Sequence, residues 1–136
     1  MDNSNSKTKI FKLFNQTDVA YAALGARLYA EEIGFLTNSQ YMISTAVSEL
    51  AHNIIAYAKE GTIQLNVLDH ESKKGMEVVA EDFGPGIQDV GKAMQDEFST
   101  GDTLGVGLPG TKRLMDYFEI DTHPGHGTKI VIRKWI

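Results

Sequence analysis

Two stretches of alternating apolar and polar residues, joined by a short polar connector, constrain the fold of this chain most strongly. In each stretch the apolar side chains fall on one face of a strand: Ile63, Leu65 and Val67 in the first, then Met76, Val78 and Ala80 in the second. The connector, residues 71–75, reads Glu-Ser-Lys-Lys-Gly and is typical of a hairpin turn. The pattern therefore predicts an antiparallel pair of strands with one face against a hydrophobic core.

The inward row of the second strand ends on a carboxylate. The period of two continues from Ala80 to Asp82, so the Asp82 side chain is expected to point toward the core side of the sheet. An inward carboxylate without a partner costs several kcal/mol and therefore needs a hydrogen-bond donor. Gly84 and Gly86 allow backbone to approach a flat group closely, which favours a purine amine as that donor. A structural role for Asp82, capping the turn, fits the sequence equally well.

A long amphipathic helix, predicted for residues 37–58, carries a second pair of polar groups beside its apolar stripe. Glu49 and Asn53 are four residues apart, so their side chains lie one above the other, roughly 6 Å apart along the axis. Their neighbours in the same row, Ala46 and Ala56, are small and leave room for a ligand. A carboxylate and a carboxamide in such a cleft suit Mg²⁺ and a general base. The alternative is that both residues form the ordinary hydrated flank of the helix.

Capping signals mark the ends of the first two helices. A helix capped by Thr17 or Asp18 is predicted to run to about Gly34, where a glycine in the left-handed conformation would end it. The run from Thr37 to Gln40 matches a capping box, with the acceptor side chain three residues after the cap. This box is expected to open the central helix.

The remaining segments complete an α+β domain. They are an edge strand at 7–14, a third helix at 111–118 with Leu114, Met115 and Phe118 as its buried side, and two strands at 119–123 and 128–135. Strands paired through hairpins, with helices grouped beside them, predict one sheet covered on one face by three helices. Residues 1–6 are polar and are expected to form a flexible tail, which leaves residues 7–136 as a single domain.

Two polar, glycine-rich segments interrupt this pattern. Residues 87–104 have no clear periodicity apart from a short helical piece at 89–94, and a loop of that length is typically a functional lid or disordered. Residues 105–110 match Gly-x-Gly-x-x-Gly, but they do not follow a strand and lack the acidic residue about 20 positions later that a dinucleotide site needs. A glycine segment entering a helix N-terminus can still hold phosphate, with Lys112 and Arg113 as further candidate contacts.

Composition argues against several classes of function. The chain contains no cysteine, which rules out disulfides and thiolate metal sites and fits a cytoplasmic protein. A formal net charge of −5 argues against nucleic-acid binding, which depends on a basic surface. No apolar run approaches the roughly 20 residues of a membrane-spanning helix, so no membrane partner is expected. His123 and His126 lie close in sequence, but no third metal ligand accompanies them.

In chain order, these motifs resemble the GHKL, or Bergerat, ATP-binding superfamily. The matching residues are Glu49 and Asn53, then Asp82, Gly84 and Gly86, then Gly105, Gly107 and Leu108, and finally Gly125, Gly127 and Thr128. The resemblance extends over residues 7–135. Within the superfamily, the stretches at 48–54, 81–87 and 107–116 look most like the switch serine/threonine kinases of the bacterial stressosome, the RsbT type. His52 is a departure from that pattern, since many relatives carry arginine there.

The resemblance implies a fold and a nucleotide site. The fold would be a Bergerat-type two-layer sandwich, with one mixed, mostly antiparallel sheet, three helices on one face and a mobile ATP lid. Asn53 and Glu49 would hold Mg²⁺, and Glu49 would also orient or deprotonate the attacking hydroxyl. Asp82 would accept the adenine amine. The residues implied in nucleotide binding are Asn53, Asp82, Gly84, Gly86, Ile87, Gly105, Val106, Gly107, Leu108 and Thr128.

The resemblance also implies an activity and partners. The chain would be an ATP- and Mg²⁺-dependent kinase that phosphorylates a serine or threonine of STAS-domain proteins in a stressosome partner-switching pathway. It would then activate a PP2C-type phosphatase. The alternative is an anti-sigma factor that sequesters a sigma factor, with nucleotide bound as a structural ligand. On the first helix, Arg27, Glu31 and Glu32 are either candidate partner contacts or merely a hydrated face.

Overall fold

The computed structural model describes residues 8–86, 94 and 107–136. They form the elements β1 (Thr8–Leu13), α1 (Gln16–Ile33), α2 (Thr37–Tyr57), β2 (Gly61–His70), β3 (Lys73–Asp82), α3 (Gly107–Leu114), β4 (Tyr117–His123) and β5 (Gly127–Trp135). The predicted tail lies outside the described residues, as do the predicted lid and its helical piece except for Met94. The Met94 side chain is half-buried and packs against the core.

The five strands form one sheet in the order β1-β2-β3-β5-β4. Every pairing is antiparallel, so the described part of the sheet contains no parallel pair. In the β2–β3 hairpin His70 pairs with Lys73, which leaves a turn of only two residues, Glu71 and Ser72. The predicted connector, 71–75, is longer than this turn because its last three residues continue the ladder of β3.

The apolar rows predicted for β2 and β3 meet in this sheet and face the helices. The pairs are Ile63 with Ala80, Leu65 with Val78, and Val67 with Met76. α1 and α2 both contact β1, β2 and β3, while α3 packs against α2. The central helix contributes the fully buried side chains Ile43, Val47 and Leu50 to the same core. The predicted α+β sandwich, one sheet with three helices on one face, is therefore confirmed.

α1 is capped by Asn15, and not by Thr17 or Asp18 as predicted. Oδ1 of Asn15 accepts a hydrogen bond from the backbone N–H of Asp18 at 3.0 Å. In return, Oδ2 of Asp18 accepts from the N–H groups of Phe14 at 2.8 Å and Asn15 at 3.3 Å, which completes a capping box. Gly34 ends the helix in the left-handed conformation, with a φ of 119°, as predicted.

α2 begins at Thr37, but the predicted capping box does not form. Leu36 occupies the cap position, and no side chain in the described part of the chain caps this helix. Gln40 is only 7% exposed, and its side-chain amide donates to the carbonyl of Phe35 at 2.8 Å. Because a buried amide must find a partner, Gln40 serves the preceding loop instead of the helix N-terminus.

α3 starts and ends four residues earlier than the predicted helix at 111–118. The backbone N–H of Asp116 donates to the carbonyl of Arg133 at 2.9 Å, and the Asp116 carboxylate accepts from the N–H of Trp135 at 2.8 Å. These bonds attach the chain to β5 directly after α3. Residues 117–118 consequently belong to β4 rather than to the helix.

The outer face of α1 differs in part from the expectation. Glu31 and Glu32 are exposed, but Arg27 is half-buried. The Arg27 guanidinium lies 5.4 Å from the centroid of the Tyr41 ring, within the range of a cation–π contact. Arg27 thus joins α1 to α2 instead of extending freely into solvent. No described helix is both long enough and apolar enough to span a membrane.

Replacing Asn15 by alanine is expected to lower the free energy of unfolding by about 1 kcal/mol, because the backbone N–H of Asp18 loses its side-chain acceptor. The control is Thr17→Ala, which removes a hydroxyl from the same turn and should change that free energy by less than about 0.5 kcal/mol. Urea unfolding followed by circular dichroism measures both variants. A larger loss in Thr17→Ala than in Asn15→Ala would contradict the observed cap.

Candidate functional site

The inward face of the sheet changes from apolar to polar at one end. The last apolar row across β2, β3, β5 and β4 is Ile63, Ala80, Ile130 and Ile120. The next row, on the same face, is Gly61, Asp82, Thr128 and Thr122. We refer to Asp82, Thr128 and Thr122 as the polar row. Thr128 is 9% exposed, while Asp82 and Thr122 are half-buried, so these polar groups lie at the border of the core.

Asp82 caps the turn after β3, which is the structural alternative that the sequence left open, but it uses only one of its two oxygens to do so. Its Oδ1 atom accepts a hydrogen bond from the N–H of Gly84 at 2.9 Å, which caps the turn after β3. Its Oδ2 atom has no hydrogen-bond donor among the described residues. Since each carboxylate oxygen has two lone pairs, Asp82 retains the capacity to accept a hydrogen bond from a ligand.

The loop after β3 lies between the end of α2 and the β4–β5 turn. A Cβ atom added at Gly84 would lie 2.5 Å from the Ala58 Cβ, at the end of α2. A Cβ atom added at Gly86 would lie 2.5 Å from the carbonyl oxygen of His123, and Gly86 has a φ of +77°. Bare backbone is therefore required at both positions. These contacts bring the C-terminal end of α2 and the polar row to the same end of the sheet.

The β4–β5 turn contacts the loop after β3 and so supports the polar row on the β5 side. The N–H of Gly125 donates to the carbonyl of Pro85 at 2.7 Å. Gly127 has a φ of +98°, and a Cβ atom there would collide with the carbonyl oxygen of Asp82. The loop after β3 and the turn before β5 thus hold each other through main-chain contacts.

Two threonines contact each other across β4 and β5. The Oγ1 atoms of Thr122 and Thr128 are 2.8 Å apart, and Thr122 Oγ1 also donates to the carbonyl of Gly127 at 3.2 Å. Thr122 was not among the predicted site residues. A signal for it was present, because Thr122 ends the inward row of Phe118 and Ile120 as a polar residue, just as Asp82 ends the row of β3.

Glu49 is buried, so the alternative of a hydrated helix flank is wrong for this residue. It is 8% exposed, and its Oε1 atom accepts a hydrogen bond from the N–H of Gly107 at 3.0 Å. Gly107 is the first residue of α3, where the helix dipole favours a negative charge. Asn53, one turn further along α2, is half-buried. A buried carboxylate therefore contacts the start of α3, and a half-buried carboxamide lies one turn further along α2.

The other predicted nucleotide-binding and phosphate-contact residues divide into three groups. Outside the described residues lie Ile87, Gly105 and Val106. Leu108 is 6% exposed and its side chain belongs to the core, so only its backbone is available to a ligand. Lys112 and Arg113 are exposed on the last turn of α3, at the opposite end from Gly107. The predicted phosphate contacts by these two residues are therefore not supported.

Among the described residues, the histidines form no metal-binding cluster. His123 lies 3.0 Å from Asp121, and both side chains are largely exposed. Within the described ranges, no group of three or more His, Cys, Asp or Glu side chains could hold a metal ion. His52 is half-buried, and its Nδ1 atom is buried without a hydrogen-bond partner in the described part of the chain. The pairing of His123 with His126 as metal ligands, which the sequence already disfavoured, thus gains no support.

A shallow depression of about 180 Å³ on the other face of the sheet is distinct from this site. It is lined by Glu119, Asp121, Lys129 and Val131. These residues alternate along β4 and β5 with inward-facing ones such as Ile130 and Thr128, so they point away from the helices. The depression is therefore not part of the polar row.

Comparison with protein families matches residues 14–134 to the histidine kinase-like ATPase domain. Serine/threonine-protein kinase RsbT of Bacillus subtilis (strain 168) is 46% identical over 125 residues, which are 92% of this chain and 94% of that protein. The anti-sigma F factor of Caldanaerobacter subterraneus subsp. tengcongensis is 38% identical over 100 residues, 69% of this chain and 68% of that protein. These matches confirm the resemblance to the GHKL superfamily and its RsbT-type members.

Solved structures share the architecture. The SiaB–SiaC complex from Pseudomonas aeruginosa matches with a TM-score of 0.63 at 13% identity, covering 98% of this chain and 94% of that chain. The mycobacterial sensor histidine kinase MprB matches with a TM-score of 0.54 at 16% identity, covering 93% and 96%. At these identities the likeness concerns the fold alone, and it agrees with the two-layer α+β sandwich.

Proposed function

The chain belongs to the histidine kinase-like ATPase domain family and is a protein serine/threonine kinase, and from this premise we propose its reaction and the residues that carry it. We propose that it transfers the γ-phosphoryl group of ATP, with Mg²⁺, to a serine or threonine of a STAS-domain protein in a stressosome partner-switching pathway. The observation that best supports this proposal is the burial of the Glu49 carboxylate, which is 8% exposed and accepts a hydrogen bond from Gly107 at the start of α3. Burial of a carboxylate is costly, and activation of a hydroxyl gives a reason to keep one there.

The polar row would supply the base end of the nucleotide site. Asp82 would accept the adenine amine with Oδ2, the oxygen that has no donor among the described residues. Gly84 and Gly86 would let backbone approach the purine plane, and Thr128 lies directly opposite Asp82 in the ladder. The resemblance assigns the phosphates to the glycine segment that leads into α3 at Gly107, whose helix N-terminus favours anions.

The residues on α2 fit Mg²⁺. Asn53 and Glu49 offer oxygen ligands, the type that this ion prefers. Mg²⁺ commonly takes one or two protein ligands and completes its shell with water and phosphate oxygens, which agrees with the absence of a larger acidic cluster in the described residues. When bound, the ion would neutralise negative charge on the transferred phosphoryl group.

Glu49 would act as the base toward the acceptor hydroxyl. As the hydroxyl oxygen bonds to the γ-phosphorus, the bond to the bridging oxygen breaks, ADP leaves, and Glu49 takes up the hydroxyl proton. The N–H of Gly107, which the resemblance assigns to phosphate, is bonded to Glu49 in this structure. Because one N–H cannot serve two acceptors at full strength, phosphate binding there would release Glu49 for the acceptor hydroxyl.

Two substitutions of Glu49 separate its structural contact from its proposed chemistry. Glu49→Gln keeps an oxygen that can accept from Gly107 and loses only the charge at the start of α3, so its free energy of unfolding should fall by no more than about 1 kcal/mol. Its rate of phosphoryl transfer should fall at least about 100-fold, since an amide is not a base. Glu49→Ala loses both functions and should in addition be destabilised by about 1–3 kcal/mol. Transfer of labelled phosphate from ATP to a purified STAS-domain protein, together with urea unfolding, measures both effects.

Normal transfer by Glu49→Gln would rule out the base role of Glu49 while leaving its contact with Gly107 intact. A matched control is Glu60→Gln, which changes an exposed carboxylate between α2 and β2. This control is expected to transfer phosphate at the wild-type rate, because surface substitutions away from a site have small effects.

Asn53→Ala tests the metal site separately. The variant is expected to lose the gain in ATP affinity that Mg²⁺ gives the wild type, and with it detectable transfer, because a ligand oxygen is removed. Isothermal titration calorimetry with ATP, in Mg²⁺ and in EDTA, measures that gain. Asn38→Ala, on the exposed first turn of α2, is the matched control. Equal Mg²⁺ dependence in Asn53→Ala and the control would exclude Asn53 as a ligand.

A second candidate function is an anti-sigma factor that holds a sigma factor with nucleotide bound. One observation favours it, the 38% identity to an anti-sigma F factor over 69% of this chain. The higher identity and coverage of the kinase relative favour the first proposal. In a pull-down with purified sigma factor and STAS-domain protein, we expect phosphorylation of the STAS protein and no retention of the sigma factor. Sigma retention without phosphorylation would reverse the choice.

The resemblance adds proposals about the setting of this reaction. The chain would act in the cytoplasm, leave its STAS-domain scaffold after phosphorylation and then activate a PP2C-type phosphatase. Glu31 and Glu32, exposed on α1, remain candidate partner contacts, whereas Arg27 is already engaged with Tyr41. Binding of the chain to a purified PP2C-type phosphatase, before and after incubation with ATP and the STAS protein, would test the exchange of partners.

A further inference from the structure

We infer that Thr122 is a positioning residue for the purine base: it fixes the Thr128 hydroxyl as a hydrogen-bond acceptor beside Asp82 and so sets the preference of the site for adenine. The inference rests on the proposed nucleotide function and concerns how the same site selects its base. Thr122 on β4 lies directly opposite Thr128 on β5, and Thr128 lies directly opposite Asp82 on β3. The three side chains are therefore neighbours on the inward face of the sheet.

Two contacts define where the hydroxyl protons go. Thr122 Oγ1 lies 2.8 Å from Thr128 Oγ1 and 3.2 Å from the carbonyl oxygen of Gly127. A carbonyl only accepts, whereas each hydroxyl has one proton to donate. Both contacts are hydrogen bonds only when Thr122 donates to Gly127 and Thr128 donates to Thr122. In the reverse arrangement, the Thr122 oxygen would face the Gly127 carbonyl with no proton between them, which is unfavourable at the edge of a core.

The Thr128 proton is thus committed to Thr122, and the lone pairs of Thr128 remain for a ligand. The neighbouring Asp82 carboxylate is also an acceptor, so this part of the polar row presents acceptors on two adjacent strands. The amine at position 6 of adenine carries two N–H donors. The oxo group at position 6 of hypoxanthine carries none and would face two acceptors. A site built to hydrogen-bond one group rejects an analogue that leaves its polar atoms unpaired.

The test compares ATP with inosine triphosphate, in which an oxo group replaces the amine. Thr122→Val keeps the β-branched shape and removes the hydroxyl, so the Thr128 proton becomes available to a ligand. We expect the ratio of the dissociation constants of inosine triphosphate and ATP to fall by about 3- to 10-fold, the range that one hydrogen bond supplies. Thr122→Ser keeps the hydroxyl and should keep the wild-type ratio. Calorimetric titration of the full chain with each nucleotide, in the presence of Mg²⁺, measures the ratio.

The ratio of the two dissociation constants separates a positioning role of Thr122 from a merely structural one. Loss of a merely structural role would weaken the binding of both nucleotides equally. An unchanged ratio in Thr122→Val would overturn the inference, and so would an equal fall in Thr122→Ser. Thr122→Ala removes the same hydroxyl with a smaller side chain and provides the same comparison if thermal unfolding shows that the valine variant is not folded. A wild type that prefers ATP, with the same preference in the valine variant, refutes the role of Thr122 alone. A wild type that binds neither nucleotide refutes the proposed kinase function and this inference together.

Discussion

An inward carboxylate in the last row of the sheet is the constraint on which the rest of the structure depends. Asp82 continues a row of buried apolar residues, so it enters the side of the sheet that the helices cover. Such a group needs donors, and Gly84 provides one. Gly61, opposite Asp82 on β2, adds no side chain beside it, and Thr128, opposite it on β5, adds a hydroxyl. The sheet therefore ends in acceptor oxygens that are not fully hydrogen-bonded. They reduce the stability of the fold, but they can accept hydrogen bonds from the donors of a ligand.

The parts of the fold that follow from residue periodicity could be predicted from the sequence. The alternation in β2 and β3 predicted the inward rows, and Gly34 predicted the end of α1. The parts that depend on a distant partner could not. The end of α3 and the loss of 117–118 from it are decided by pairing with β5, since the Asp116 N–H bonds to the Arg133 carbonyl. Gln40 likewise left its predicted capping role because burial required a partner for its amide.

The features of the candidate site also divide into those that a local sequence pattern predicts and those that depend on a distant partner. Asp82 was accessible to sequence reasoning, because a polar residue that ends an inward apolar row is visible in the alternation itself. Thr122 carried the same signal on β4, but its meaning depends on the register that places it opposite Thr128. The contact between Glu49 and Gly107 spans 58 positions in the chain and joins two helices. No local pattern predicts it, since it requires knowledge of which helix N-terminus lies over the middle of α2.

The contact between Glu49 and Gly107 also bears on how a chain with a net charge of −5 would bind a polyanion. The first N–H of α3 already holds an anion, the carboxylate of Glu49, at the favourable end of the helix dipole. A phosphate that takes this N–H would exchange one anion for another, so the helix end stays satisfied in both states. The displaced carboxylate would then lie beside the negative phosphate, which repels it. Its remaining favourable partners would be a bound cation and the proton of an acceptor hydroxyl. Binding of the nucleotide phosphate and release of the Glu49 carboxylate would therefore occur together, as one exchange at the backbone N–H of Gly107.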